Sequence, residues 1–181
     1  MRKLRVVTVA MCLSAFLLSA ASAQAQSLYD RLGGKDAIKA VVDEFVGIVA
    51  ADPRINKKFA KTDINRLKFE LVEQICQVTG GPCKYTGRDM KTTHKNMGVT
   101  EGEFNALVED LVKALDKFNV KEKEKTELLG KLGPLKSDIV EVKSQKTGTP
   151  LPDNFKPAPP LTEGKASGDK GKKEEKKKKG Y

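Results

Sequence analysis

His94 is the one histidine among 181 residues. It stands in the run Asp89-Met90-Lys91-Thr92-Thr93-His94-Lys95-Asn96-Met97-Gly98-Val99-Thr100, between a glycine-rich stretch and a strongly amphipathic one. A lone histidine is commonly a surface side chain or a satisfied core side chain. If the chain holds a metal cofactor through imidazole, His94 is the one candidate, and it can be enough, because haem iron needs no other ligand from the protein. Cys76 and Cys83 are the other reactive pair, seven positions apart across Gly80-Gly81-Pro82. They either form a bridge, which requires Cα atoms within about 7 Å, or are two independent small residues. No Cys-x-x-Cys-His occurs, so thioether attachment of haem is not expected.

The elements that must position these residues are all helical. Ile38, Val41, Val42, Phe45, Ile48 and Val49 repeat at helical spacing up to Ala51-Asp52-Pro53. Ile64, Leu67, Leu71, Val72, Ile75 and Val78 form a second stripe, opened by a cap at Thr62 or Asp63 and stopped by Gly80-Gly81-Pro82. Phe104, Leu107, Val108, Leu111, Val112, Leu115 and Phe118 form a third behind Thr100 as cap. Leu128, Leu129, Leu132, Leu135, Ile139 and Val142 form a fourth, with a kink expected at Gly133-Pro134. Short extra turns are expected near 28–32 and 90–94. No run alternates as a strand, so the fold class is all-α. His94 falls in the long connection from Thr79 to Val99, and connections of that length in compact domains tend to be functional.

The two ends differ from the body. Arg2, Lys3 and Arg5 precede an apolar run from Val6 to about Ala20 and small residues at Ala21-Ser22-Ala23 and Ala23-Gln24-Ala25, the pattern of a secretory signal peptide over residues 1–25. The expected destination is periplasmic or extracellular. Residues 26–145 are the expected domain, and 146–181 an expected disordered tail rich in Pro, Gly, Lys and Glu. Residues 156–181 hold nine lysines against four acids, half of the net charge of +10. The basic balance thus belongs mainly to the ends. The tail reads as a solubilising extension, or as a weak electrostatic contact with an anionic surface. No aromatic residues interleave the lysines, so nucleic acid is not an expected partner.

Taken in order, the body resembles a group 1 truncated haemoglobin from about Ser27 to Val142. Leu28-Tyr29-Asp30-Arg31-Leu32-Gly33-Gly34 is similar to that family's short first helix and glycine pair. Asp52-Pro53-Arg54 followed by Phe59 is similar to the turn that brings a phenylalanine to haem. Asn65-Arg66-Leu67-Lys68 resembles the start of the distal helix, Gly80-Gly81-Pro82 and Tyr85-Thr86-Gly87 the loop that follows, and Met90-Lys91-x-x-His94 with Gly98-Val99-Thr100 the proximal motif. The resemblance implies a globin-like two-over-two helical sandwich around haem b (iron protoporphyrin IX). It implies His94 as the iron ligand and Phe59 as the ring packed on the porphyrin. A slot lined by Phe45, Val46, Leu67, Leu71, Ile75, Val99 and Phe104 would shield the macrocycle.

The departures from the family pattern are informative. Val46 stands where members that hold oxygen tightly place tyrosine, and Leu71 where they often place glutamine. A donor at either position would add about 1.5–3 kcal/mol to a bound oxygen ligand, so a dry distal pocket with fast oxygen release is expected. Gln74, one turn further, is the nearby residue that could restore polarity, and Lys68 or Met97 is an alternative sixth ligand. The implied function is reversible binding of dioxygen, CO or NO for transport or sensing, with an unidentified reductase. An enzyme of the nitric oxide dioxygenase or peroxidase type is the alternative. It is disfavoured because that chemistry profits from a polar distal group.

Overall fold

The structure, a computed structural model, describes residues 25–157. The signal-peptide reading therefore lies outside the described residues, as does the lysine-rich part of the tail beyond 157. Helix α1 (Leu28–Arg31) is set by a reciprocal cap between Ser27 and Asp30. Two left-handed glycines, Gly33 (φ 93°) and Gly34 (φ 78°), then turn the chain into α2 (Gly34–Ala51). A Cβ on Gly33 would fall 2.9 Å from that of Ala37, so the corner accepts no side chain. Helix α2 is the central element of the fold. Its stripe of Ile38, Val41, Val42, Phe45, Val46 and Val49 is buried, and it packs against both α3 (Ile64–Val78) and α5 (Glu101–Lys117). A 3-10 turn, Asn56–Phe59, connects α2 to α3 and presents Phe59.

The predicted helix boundaries hold closely. Asp63, not Thr62, caps α3, its carboxylate accepting from the Arg66 amide at 3.0 Å. Thr79 and left-handed Gly80 (φ 88°) end the helix. Helix α4 (Met90–His94) is one short turn with Asp89 as cap, and Thr100 caps α5 reciprocally with Glu103. The fourth stripe is broken where Gly133-Pro134 predicts: α6 (Glu122–Leu132) gives way to a 3-10 turn, Gly133–Leu135, and then α7 (Lys136–Ile139). Among the described residues there is no strand, only one isolated parallel bridge between Thr100 and Val142.

Two apolar clusters result. The larger joins α1, α2, α3, α5 and α6 around Val42, Cys76, Ala114, Leu115 and Leu128. The smaller joins Met97, Val99 and Ile139 with Phe155. Phe155 corrects the expected start of the tail. Residues 146–157 are not a loose extension but lie against the domain, with Phe155 buried and Leu151 packed beside it. The compositional reading of that segment weighed its prolines and lysines and overlooked two apolar side chains spaced to reach one cluster.

Candidate cofactor site

Helix α4 holds His94 by an internal constraint. The imidazole Nδ1 lies 2.8 Å from the carbonyl of Met90, four residues earlier on the same turn. A carbonyl only accepts, so Nδ1 carries the proton and donates it, which leaves the Nε2 lone pair unprotonated. Burial pushes the imidazole below its ordinary pKa of 6.5, opposed by the Met90 carbonyl and by Glu141, with Arg88 adding to the downward push. A neutral imidazole with its second nitrogen fixed by a carbonyl is the form that coordinates a metal. The loop after it is fixed as well, because Glu141 accepts from the amides of Asn96 (2.7 Å) and Gly98 (2.6 Å).

Two adjoining cavities meet at His94. The larger, about 140 Å³, lies between α3 and the α4 region, and Phe59, Leu67 and Met97 share its wall with the imidazole. The smaller, about 50 Å³, is bordered by Phe59, His94 and Met97 together with Val99, Phe104 and Leu107. Phe59, His94 and Met97 thus belong to both. The structure brings together five of the predicted residues: His94, Phe59, Leu67, Val99 and Phe104.

The other four lie elsewhere. Phe45, Val46, Leu71 and Ile75 belong to the larger core cluster and border neither cavity. Ile75 borders a separate void of about 20 Å³ with Leu111, Leu115 and Leu128. The reason for this split on α3 is position along the helix: Leu67, near its start, borders the cavity with His94, while Ile75, two turns on, meets α5 and α6. Gln74 does not supply polarity near His94 in the way anticipated, since its amide is directed at the Met90 sulfur at 3.5 Å. Lys68 is paired with Asp43 at 3.0 Å, and Met97 is packed into the smaller apolar cluster. Lys39 first and Lys68 second hold the Asp43 carboxyl below the usual carboxylate value.

The expectation of a wholly dry slot also needs correction. Thr62, Asp63, Arg66, Glu70, Tyr85 and Arg88 border the larger cavity, because it opens between the start of α3 and the loop before α4. Burial, and then the charge of Glu70, pushes the Tyr85 hydroxyl above its ordinary pKa, and that hydroxyl donates to the Arg88 carbonyl at 2.7 Å. Cys76 and Cys83 form a disulfide with Cα atoms 5.7 Å apart, which settles the open alternative. It joins the end of α3 to the loop that carries Tyr85 and Arg88. The most consequential residue that sequence reasoning passed over is Lys58. Its side chain is 4% exposed, and its ammonium donates to the carbonyls of Met97 (2.8 Å) and Gly98 (3.0 Å). Nothing in the sequence distinguishes it from the neighbouring Lys57.

An all-helical domain with a neutral, carbonyl-anchored imidazole beside an aromatic-walled cavity agrees with the comparisons to known proteins. The model of the bacterial-like globin family matches residues 27–141. A group 1 truncated hemoglobin of Mycolicibacterium paratuberculosis is 38% identical over 117 residues, covering 65% of this chain and 86% of that protein. The chain belongs to the group 1 truncated haemoglobins. The solved truncated hemoglobin of Tetrahymena pyriformis in its Fe(III) form superposes with a TM-score of 0.62 at 30% identity, over 64% of this globin and 98% of that chain. The 2/2 hemoglobin of Synechococcus sp. PCC 7002, solved in the cyanomet state with covalently attached haem, gives 0.61 at 31% identity over 64% and 98%. The two-over-two helical fold is therefore that of this globin, and it is a haem-binding protein.

The residues present fit the cofactor on their own chemistry. The imidazole is neutral, its Nδ1 is satisfied by Met90, and an aromatic ring and apolar side chains wall the space beside it. Arg66 and Arg88 at the open edge are suited to the carboxylates of a porphyrin.

Proposed function

We propose that this globin holds haem b without a covalent link, through His94, and reversibly binds a diatomic gas. The observation that carries the reading is the Met90 carbonyl 2.8 Å from Nδ1, which reserves Nε2 as a lone-pair donor beside both cavities. Haem, held by His94, would supply the iron that takes up the gas. The chain does the rest. Met90 fixes the tautomer and ring direction of His94, Phe59 and Leu67 exclude water, and Val99 and Phe104 close the second cavity. Noncovalent binding is favoured because both described cysteines are used in the bridge between Cys76 and Cys83.

Export to the periplasm or beyond is part of the proposal, supported by the leader pattern of residues 1–25 and by a disulfide suited to an oxidising compartment. A reductase and a weak contact of the lysine tail with an anionic surface complete it as proposed partners. The test is the absorption spectrum of the hemin-loaded protein in ferric, ferrous and CO-bound states beside His94→Gly, with and without added imidazole. The wild type is expected to show a Soret band that shifts with CO. His94→Gly should lose the axial signature and regain it with imidazole. A variant spectrum identical to wild type would remove His94 from the site.

A further inference from the structure

The family match ends at residue 141, but the described chain continues and doubles back over the cofactor site. Residues 143–157 form no helix, yet they are tied down at short intervals. The Gly102 amide donates to Ser144 O at 3.0 Å, and the Thr100 hydroxyl to Lys146 O at 2.5 Å. The Gly148 amide donates to Arg54 O at 2.5 Å. Thr149 donates twice to Glu103 Oε1, from its amide at 2.8 Å and its hydroxyl at 2.6 Å, and the Lys58 ammonium donates to Pro150 O at 3.2 Å.

Two of these anchors are deeply buried ionic groups, Lys58 (4% exposed) and Glu103 (2%), 3.6 Å apart. Their remaining hydrogen-bonding capacity is filled by this segment. Gly102 shows the same fit from the opposite side. Any Cβ there would lie 2.8 Å from Lys146 O and closer still to Gln145. A helix position that would ordinarily favour alanine is glycine where the segment crosses α5. Beyond the anchors, Phe155 is buried against Met97, Val99 and Ile139, and both Phe155 and Pro157 border the larger cavity that contains His94.

We propose that residues 143–157 are a strap integral to the haem site, with Phe155 as the wall residue on the His94 side that keeps the cofactor from leaving. The inference rests on the haem reading above and adds a holding element to it. Phe155 shares a cluster with Met97, which borders both cavities beside the imidazole. Its ring therefore backs the proximal wall and does not stand free in the cavity. Release of haem requires that wall to open, and the wall is latched by Lys58 and Glu103 several residues away.

The test is transfer of hemin from the loaded full-length protein to excess apomyoglobin, followed at the Soret band, for wild type, Phe155→Ala and Gly102→Ala. Removing a buried aromatic contact should speed haem loss on the order of ten- to a hundredfold. In Gly102→Ala the atoms nearest the new Cβ belong to Gln145 and Lys146, neither of which borders either cavity, and helix propensity improves, so faster loss in that variant isolates displacement of the strap. It also decides the matter if Phe155→Ala does not fold. Unchanged loss in the folded variants overturns the proposal. Slower loss overturns it too, because the strap would then be a plug competing with haem. Failure of the wild type to take up hemin would instead defeat the haem reading, and the strap's role with it, in the absence of any variant.

Discussion

Lys58→Met is the perturbation whose size is best fixed by the structure. The ammonium donates to Met97 O at 2.8 Å, Gly98 O at 3.0 Å and Pro150 O at 3.2 Å, and stands 3.6 Å from Glu103 Oε2. Hydrogen bonds from a charged donor contribute about 1.5–3 kcal/mol each, but desolvating an ammonium costs several kcal/mol, so most of that gain is offset. The deciding term is what remains behind. Glu103, 2% exposed, would be left as a buried charge without its counterion, and breaking such a pair from one side costs about 3–5 kcal/mol. With a urea slope of about 1–3 kcal/mol per molar, the unfolding midpoint of the apoprotein, followed by far-UV circular dichroism, should fall on the order of 2 M. Adding Glu103→Gln should recover part of the loss, giving a coupling energy of at least about 1 kcal/mol. The recovery is partial, because Glu103 accepts on both oxygens, from Thr149 and from the Thr100 amide, and an amide retains only one acceptor. A single-variant loss below about 1 kcal/mol, or a strictly additive cycle, would refute the view that this pair latches the strap and the loop after His94.

Other outcomes follow from the same geometry. Leu71 and Val46 border neither cavity at His94, so Leu71→Gln and Val46→Tyr should leave oxygen release in stopped-flow measurements unchanged; a slowing of about ten- to a hundredfold, the size of one added hydrogen bond to bound oxygen, would instead place them beside the gas. Cys83→Ser opens a bridge between residues seven apart and should cost about 2.5 kcal/mol in thermal unfolding on the chain-entropy argument; a transition insensitive both to the variant and to dithiothreitol would contradict it. Burial lowers the His94 pKa in the folded apoprotein, so the unfolded chain binds its proton first as pH falls. Stability contributed by the neutral imidazole is therefore present above the ordinary value of about 6.5 and declines below it. Urea midpoints at pH 7.5 and 5.5 should accordingly fall further for wild type than for His94→Gln, and equal falls would place the imidazole in solvent.

Much of this globin was legible from local signals. The helices and their ends follow from apolar spacing, from Asp63 and Thr100 as caps, and from Gly80 and Gly133-Pro134 as stops, because those residues act on their own backbone neighbourhood. His94 was legible because it is unique and sits in a motif. Which apolar residues wall the cavity was less so: Leu67 and Ile75 lie on one helical stripe, and only what surrounds each end of α3 separates them. Lys58 gave no sign, since its partners lie tens of residues away; Glu103 was readable only as the reciprocal cap of Thr100, not as the acceptor of Thr149 or the counterion of Lys58. Phe155 did carry a signal, a lone aromatic in a proline-rich stretch, but composition averaged over the segment concealed it.

The anchoring of His94 by Met90 has a practical corollary for solution work. With a single imidazole in the chain, every histidine resonance, paramagnetically shifted or titrating, reports on His94, the proposed iron ligand, without assignment. Bis-histidyl coordination, the usual complication in reading such spectra, has no second ring in this polypeptide from which to arise.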